Sequence, residues 1–384
     1  MDLSAKKPIT ILLAFHWYDR RVFKGIVRYA TEHNWHLSPY LFSGHFVPHG
    51  WPADGAITCY GKPFCKFIDD LDMPKVDVTI QKMAITVPRV TVDDAAISRM
   101  AAQHFLERGF KHFAFYSWPT VEVNALRKEV FFQTLREAGI PGEHLYEIQQ
   151  SPAKMLGQWE KHQQLIYRQL EKMPRPLAVF TGQDNLGATL IEICSRKDIH
   201  VPEEIAILGV DDIEMLCDCL ATPLSSIDTN LEKLGYTAAQ QLDRLMKGEI
   251  ENDEPPVLIE PKEIVLRQST DALAIAHPAV VKALQYIKDY FHEPITLENI
   301  GEYAGMSKRG MEKAFLKHLG NSPATELRRI RLDHAKRLLT ETDEKISSIA
   351  WNCGYSNSSN LSFAFNRETG MSPRAYRNRY SPEP

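Results

Sequence analysis

Short β-rich segments alternate with helical patterns through roughly the first 210 residues of the 384-residue chain. The first β-rich segment, Ile9–Phe15, leads into a stretch with apolar residues at helical spacing, 21–33. Later pairs are 56–58 with 64–71, 90–92 with 95–108, 112–116 with 123–138 and 178–180 with 186–197, before a last strand at 205–210. Strands that alternate with helices of about 10–15 residues form βαβ units, whose parallel sheets are covered by helices on both faces. The alternation therefore predicts an α/β fold built on parallel sheets for this part of the chain.

The composition is that of an ordinary soluble protein, with 44% hydrophobic and 24% charged residues. These fractions exclude a disordered, collagen-like or coiled-coil chain. The longest apolar runs fall well short of the ~20 residues that cross a bilayer, and the N-terminal segment lacks a signal-peptide cleavage pattern. We therefore expect a cytoplasmic protein with no membrane partner. The six cysteines are scattered, so no disulfide framework, metal site or cofactor is expected.

The charge changes sign along the chain. Residues 278–384 hold 16 Lys+Arg and 12 Asp+Glu, a net charge of +4, whereas the residues before them carry −8. A basic domain behind an acidic body is typical of a nucleic-acid-binding appendage, although chance also produces a charge of this size. A strand-like run at 264–266 and helical spacing from Pro278 onward bracket the boundary. We predict a first domain at 1–270, a linker at 271–279 and a second domain at 280–384.

Polar residues follow several of the predicted strands. They occupy positions 16–21, 93–94, 182–185 and 209–212. Ligands of parallel sheets bind where the loops leave the carboxyl ends of the strands. No glycine-rich phosphate loop, nucleophile elbow or His-Glu-x-x-His motif occurs there, which disfavours nucleotide and hydrolase chemistry. Carboxylate and amide side chains beside aromatic rings instead suit a polyol, whereas the simpler interpretation of each Asp or Asn is a helix N-cap.

Several segments, taken in order, resemble the sugar-sensing core of LacI-type repressors. They are 92–94 with 104–109, 178–180 with 183–184, 207–212 and 222–227, together with Arg127, Phe131, Thr134 and Leu135 as a helix start in which Val130 replaces the usual glycine. The resemblance covers about residues 8–270 and implies a two-lobed periplasmic-binding-protein type I fold. One lobe would comprise about 8–110 plus 230–270, and the other about 111–229. LacI-type repressors carry a helix-turn-helix ahead of this core, whereas here the first strand begins near residue 9.

The resemblance also implies a set of ligand contacts. Matched position by position, it assigns them to Arg127, Gln183, Asp184, Asp211 and Asn230.

From Thr296 onward the spacing indicates a helix-turn-helix. Thr296 can cap a first helix, Gly305 supplies the tight turn, and Ser307 can cap a second helix. About fifty residues later the pattern recurs, with Gly354 at the turn and Ser356 as the cap. A basic amphipathic helix at 324–339 lies between the two units. Such a recurrence of turn and core spacing is far harder to obtain by chance than a single helix-turn-helix.

The chain's ending resembles the signature of AraC-type DNA-binding domains over about residues 280–380. It reads Phe365-x4-Gly370-Met371-Ser372-Pro373-x2-Tyr376-Arg377. The resemblance implies an all-α domain with two helix-turn-helix units, whose recognition helices, 307–319 and 356–368, enter successive major-groove segments of double-stranded DNA.

The resemblance also implies which side chains face DNA. The candidates are Lys308, Arg309, Glu312 and Lys313 on the first recognition helix and Asn357, Ser358, Ser359 and Asn360 on the second. Arg309 and Lys313 could donate to guanine edges or phosphates, and Glu312 could accept from cytosine. Phe363 stands where a basic residue is common in the family, so the second helix is expected to read sequence weakly, through phosphates or a thymine methyl. The simpler interpretation of each candidate is a solvated helix face.

A LacI-like sensor ahead of an AraC-type domain resembles the layout of bacterial activators of xylose operons. Tyr18, Asp19 and Arg20, with Asp211 and Glu214, carry that resemblance and add three ligand candidates. The resemblance implies a sugar-responsive, sequence-specific DNA-binding regulator, an activator of a pentose operon with xylose as the leading effector. A homodimer and contact with RNA polymerase are further expectations.

Two other functions remain open at the level of sequence. The first is a ligand-independent DNA-binding protein whose N-terminal domain only dimerises. The second is an enzyme that uses Asp184 and Asp211 as a carboxylate pair for glycoside chemistry, although nothing marks a general acid and the DNA-binding tail would be unexplained. We therefore expect no enzymatic activity. A measurement of sugar binding distinguishes the sugar-responsive regulator from the ligand-independent DNA-binding protein.

Overall fold

The computed structural model describes residues 8–15, 19–41, 52–61, 65–79, 86–118, 122–149, 158–271 and 277–380. The chain divides into two compact units, Met1–Ala272 and Leu273–Pro384. The division falls inside the segment 271–279 that the sequence marks as a linker. No helix among the described residues is long and apolar enough to cross a bilayer.

The first unit alternates strands and helices. Its strands are β1 (Thr10–Phe15), β2 (His36–Leu41), β3 (Gly55–Cys59), β4 (Lys75–Asp77), β5 (Val90–Val92), β6 (His112–Tyr116), β7 (Leu145–Ile148), β8 (Leu177–Thr181), β9 (Ile205–Val210), β10 (Ser225–Asp228), β11 (Val257–Ile259) and β12 (Glu263–Val265). Its helices are α1 (Arg20–Glu32), α2 (Cys65–Asp69), α3 (Asp94–Glu107), α4 (Glu122–Glu137), α5 (Trp159–Leu170), α6 (Asp184–Arg196), α7 (Glu214–Asp218) and α8 (Leu231–Met246).

The strands of the first unit form two layers of parallel sheet, one in each lobe. In the first lobe the order is β2-β1-β3-β4, and β5 pairs with β11 in a separate two-stranded ladder. In the second lobe the order is β12-β10-β9-β8-β6-β7, parallel except for β12. Every residue of β8 and β9 is buried, as expected for strands covered on both faces. The predicted α/β fold with parallel sheets is confirmed.

The end of the first unit corrects the predicted lobe boundary. Residues 230–270 were expected in the first lobe, but β12 pairs antiparallel with β10 of the second lobe. The Ser269 hydroxyl donates to the Ile207 carbonyl at 2.6 Å and accepts from the Ser225 amide at 2.8 Å. The chain therefore returns to the second lobe after β11, where the buried Ser269 hydroxyl finds both of these hydrogen-bond partners.

The second unit consists of seven helices among its described residues. They are α9 (Pro278–Tyr290), α10 (Leu297–Ala304), α11 (Lys308–Leu319), α12 (Pro323–Glu341), α13 (Ile346–Asn352), α14 (Ser358–Thr369) and α15 (Pro373–Tyr380). One apolar core is formed by α9, α10 and α11, and a second by the C-terminal half of α12 with α13 and α14. The long helix α12 contributes to both cores and so joins two helix-turn-helix units, as the sequence predicts.

The helix caps explain where the recognition helices begin. Thr296 and Ser307 cap α10 and α11 through their hydroxyls, and Gly305 adopts φ +67° at the turn between them, which confirms all three predictions. In the second helix-turn-helix, the capping residue lies one position later than predicted. The cap of α14 is Asn357, whose side chain accepts from the backbone amide of Asn360, and the predicted cap Ser356 lies one position earlier. The turn after Gly354 is one residue longer, so the amide-bearing Asn reaches the capping position.

Candidate functional site

Arg127 links the two lobes of the first unit. It extends from α4 of the second lobe, and its Nε donates to Asp94 Oδ1 at 2.7 Å, at the start of α3 in the first lobe. Its Nη1 donates to the Gly182 carbonyl at 2.7 Å, directly after β8. Both side chains are buried. Burial raises the pKa of Asp94, and the guanidinium opposes that shift. A buried ion pair of this kind is sensitive to the loss of either partner.

Arg21 makes a second bridge between the lobes. From the first turn of α1, its Nη1 donates to the carbonyls of Asp211 and Asp212, at 2.6 and 3.1 Å, after β9. Its Nη2 and Nε contact the Asp19 carboxylate at 3.0 and 3.2 Å. Asp19 also caps α1 through the Arg21 amide at 2.8 Å. The predicted ligand residue Asp19 therefore orients Arg21, while Arg20 is exposed at the start of α1.

Asp211 lies where the charged groups of both lobes converge. It has φ +103° and the next residue, Asp212, has φ +48°. Positive φ values are uncommon for residues other than glycine, and backbone strain of this kind clusters at functional sites. Burial raises the pKa of the Asp211 carboxyl to about 7, with Arg127 and Arg21 opposing the shift. The carboxyl makes no hydrogen bond among the described residues, so its acceptor sites are unused.

Asp184 supports the loop that carries Asp211. Its carboxylate is fully buried and accepts from the Ser226 hydroxyl at 2.6 Å and the Ile213 amide at 2.8 Å. Burial raises its pKa to about 6, although both hydrogen bonds oppose the shift. Both acceptor oxygens thus serve the protein, which gives Asp184 a positioning role; direct contact with a ligand stays a prediction.

The remaining predicted ligand residues differ in the hydrogen bonds that their side chains make. Gln183 is half-buried at the N-cap of α6, and its side chain makes no cap bond. Asn230 has φ +62° before α8, and its Nδ2 donates to the Glu260 carbonyl at 3.4 Å. Tyr18 lies outside the described residues. We define the interlobe site as Asp19, Arg21, Asp94, Arg127, Gln183 and Asp211.

Three residues in or next to the interlobe site were not among the ligand contacts predicted from the sequence. Arg21 and Asp94 stood among the polar residues after strands but were not selected. Asn124 lies three residues before Arg127, on the same face of α4, and is buried against the Trp118 carbonyl at 3.2 Å. A Cβ at Gly182 would approach Asn124 Oδ1 to 2.6 Å, so a larger residue there would displace the Asn124 side chain. The (i, i+3) spacing of two polar residues on one buried helix face was the available signal.

The first recognition helix presents its predicted residues to solvent. Lys308, Arg309, Glu312 and Lys313 are exposed on α11, while Met311, Ala314 and Phe315 form the buried face. The spacing of the exposed residues places them on one side of the helix. The Lys308 ammonium contacts Glu298 of α10 at 2.8 Å.

The second recognition helix carries a different surface. Asn357 is committed to its cap, Ser358 is half-buried, and Ser359 and Asn360 are exposed. The side-chain Nδ2 of Asn360 donates to Ser356 Oγ at 2.8 Å. Phe363 is 72% exposed on the same helix.

Arg331 of α12 connects the two helix-turn-helix units. Its Nε donates to the Phe291 carbonyl and its Nη2 to the Glu293 carbonyl, both at 2.7 Å, beyond the end of α9. Its guanidinium also lies 5.8 Å from the centroid of the Tyr355 ring, next to the second turn. Three parts of the unit are therefore held by one side chain, a role that its place in a basic helix did not reveal.

No group of three or more His, Cys, Asp or Glu side chains that could hold a metal ion occurs in the described part of the chain.

Residues 102–270 match the family of periplasmic binding protein-like domains, and residues 300–379 match a helix-turn-helix domain family. The fold and these two domains define a DNA-binding transcription regulator with a sensor domain, which confirms the predicted resemblance and the predicted class of sugar-responsive regulator. The chain is 25% identical to the xylose operon regulatory protein of Escherichia coli K12 over 390 aligned residues, covering 97% of each chain. It is 26% identical to the xylose operon regulatory protein of Haemophilus influenzae over 384 residues, covering 94% and 95%.

The fold also matches a solved structure along its whole length. The structure of a xylose-binding transcription activator superposes with a TM-score of 0.80 at 24% identity, covering 98% of this chain and 100% of that one. These relatives are transcription regulators, not enzymes.

Proposed function

We propose that the chain activates transcription of a pentose catabolic operon when xylose binds the interlobe site. The observation that carries the proposal is the Asp211 carboxyl, which accepts no hydrogen bond from the part of the chain that the structure describes and interacts with the guanidinium groups of Arg127 and Arg21. The similarity to two xylose operon regulatory proteins along nearly their full length supports the choice of effector. A sugar needs adjacent acceptors and donors for its vicinal hydroxyls, and the interlobe site supplies both kinds of group.

The residues in and around the interlobe site divide into proposed ligand contacts and positioning residues. Asp211 accepts from two adjacent hydroxyls, and the side-chain amide of Gln183, which makes no cap bond, both donates and accepts. Arg127 has two nitrogens bonded to protein groups, and its Nη2 makes no hydrogen bond among the described residues, so it can donate to the sugar. Asp19 and Asp184 position Arg21 and the Asp211 loop. Tyr18, Arg20 and Asn230 remain proposed ligand contacts.

The two bridges between the lobes suggest how a sugar exerts control. Arg21 and Arg127 each connect one lobe to the other, and a sugar bonded to Asp211 and Arg127 interacts with both connections. A ligand shifts a conformational equilibrium only by its difference in affinity between the two states. We propose that xylose favours the lobe arrangement in which both bridges are formed.

DNA recognition is assigned to the two exposed helix faces. Arg309 and Lys313 donate to guanine edges or phosphates, and Glu312 accepts from cytosine. Lys308, at the start of α11, is bonded to Glu298 of α10 and remains a proposed DNA contact. Asn357, Ser358, Ser359 and Asn360 contact the second DNA segment. We further propose a cytoplasmic homodimer, formed through the first lobe, that contacts RNA polymerase. Sedimentation velocity measures the dimer directly, and a monomer at micromolar concentration would remove that part of the proposal.

Calorimetry of the full-length chain against xylose, arabinose and ribose tests the effector. We expect the strongest binding for xylose, and a large loss of affinity in Asp211→Ala, which removes a carboxyl that accepts from hydroxyls. Asp253→Ala is the matched control, since that carboxylate is exposed on a loop. Absence of heat and of a thermal shift with all three sugars would contradict the proposal and favour the ligand-independent alternative.

A further inference from the structure

The two recognition helices are equivalent residue by residue at an offset of fifty. Both span twelve residues, α11 as Lys308–Leu319 and α14 as Ser358–Thr369. Both have a capping side chain before the first residue, and both end at a glycine with φ near +70°, Gly320 and Gly370. Their buried residues also correspond, as Met311 with Leu361, Ala314 with Ala364, and Phe315 with Phe365.

This equivalence identifies the counterpart of each exposed residue. Phe363 corresponds to Lys313, and Ser359 corresponds to Arg309. Because the caps and the buried triads coincide, Phe363 projects from α14 as Lys313 projects from α11. Phe363 is 72% exposed and belongs to neither apolar core of the unit.

The surroundings of Phe363 do not form an apolar patch on its own helix. Its neighbours one turn before and after are Ser359, Asn360, Asn366 and Arg367, all exposed and polar. A docking surface for a protein partner would need a contiguous apolar area, which this face of α14 lacks. A single ring among polar groups suits a surface that is itself polar but carries isolated apolar groups.

The major-groove edge of B-DNA is such a surface. Its base pairs present hydrogen-bond donors and acceptors, and thymine adds the C5-methyl, an apolar group that side chains such as Phe contact. We propose that Phe363 contacts one or two thymine methyl groups, so that the second recognition helix selects A·T pairs where the first helix reads through charged donors. This inference rests on the proposed function and adds to it the base preference of the second half-site.

Replacement of thymine by deoxyuridine tests the contact, since it removes the methyl group and leaves the hydrogen-bonding edge intact. A duplex is selected by the full-length chain from a randomised library, and each thymine is then replaced in turn. Affinity is measured by fluorescence anisotropy for the wild type, Phe363→Ala and Phe363→Leu, with Lys313→Ala as the matched control on α11. Circular dichroism melting confirms that each variant is folded.

We expect one or two deoxyuridine positions to weaken wild-type binding by about fourfold each, the change that corresponds to one buried methyl-sized group. The penalty should vanish in Phe363→Ala, persist in part in Phe363→Leu and remain unchanged in Lys313→Ala. A wild type indifferent to every replacement, or a penalty that persists in Phe363→Ala, would overturn the inference while leaving DNA binding intact. Phe363→Ala that binds DNA normally but fails to activate RNA polymerase would instead assign the ring to a protein partner. A chain that selects no sequence at all would overturn the proposed function itself.

Discussion

At the scale of single residues, the interlobe site depends on carboxyl groups whose charge is opposed by burial. Burial raises the pKa of Asp211 to about 7 and that of Asp184 to about 6, but only Asp184 has its oxygens occupied by protein donors. The contrast separates two tasks that the sequence presented as one. Asp184 fixes the loop after β9, whereas the Asp211 carboxyl accepts no hydrogen bond within the described ranges.

The raised pKa of Asp211 predicts a pH-dependent stability. The unfolded carboxyl titrates near 4 and the folded one near 7, so its contribution is fully present below pH 4 and is lost as the pH rises through 7. Asp211→Asn removes this loss and should gain stability relative to the wild type between pH 5 and pH 8, on the order of 1 kcal/mol or more. Urea unfolding without sugar measures it, with Asp253→Asn as the control. If the stability difference between Asp211→Asn and the wild type were the same at pH 5 and at pH 8, Asp211 would be ionised over that whole range.

The ion pair between Arg127 and Asp94 predicts a strong energetic coupling. Arg127→Met leaves a buried carboxylate without its partner and should lower the free energy of unfolding by about 3 kcal/mol. Asp94→Asn in the same background should recover much of that loss, since no buried charge remains. A double-mutant cycle by urea unfolding measures the coupling, and additive effects of the two substitutions would mean that the pair contributes little.

At the scale of elements, the second unit depends on how its two helix-turn-helix units are held together. α12 contributes to both apolar cores, and Arg331 ties the end of α9 to the turn at Gly354. Gly354 has φ +72°, and a Cβ there would overlap the Phe291 carbonyl oxygen and crowd the Arg331 guanidinium. Gly320 has φ +70° with no atom near its added Cβ, so the two glycines share a backbone requirement and differ in contacts.

This pair of glycines gives a matched prediction. Gly320→Ala should cost about 1 kcal/mol for its left-handed backbone alone. Gly354→Ala should cost more and should weaken DNA binding, because the turn must move away from α9 and Arg331 loses its place. Thermal unfolding and anisotropy titration of both variants check this, with sugar binding by the first unit unchanged. Equal effects of the two substitutions would mean that Arg331 does not couple the two helix-turn-helix units.

At the scale of the whole molecule, the sequence was informative where periodicity or a cap determines structure. Strand alternation predicted both parallel sheets, and the recurring Gly305 and Gly354 turns predicted both helix-turn-helix units. Contacts between distant segments left no such pattern. The return of β12 to the second lobe, the bridge from Arg21 to the Asp211 carbonyl and the pairing of Arg127 with Asp94 depend on how the lobes meet. Local spacing carries no information about those pairings.

We expect sugar binding by the first unit to change DNA binding by the second. Coupling between two sites is reciprocal and amounts typically to about 5–150-fold in affinity. Fluorescence anisotropy of a duplex selected by the full-length chain, titrated with and without saturating xylose, measures that coupling directly. We predict that xylose shifts the midpoint by at least about fivefold and that the duplex changes the affinity for xylose by the same factor. Tight DNA binding with a midpoint that xylose, arabinose and ribose all leave unchanged would contradict the account.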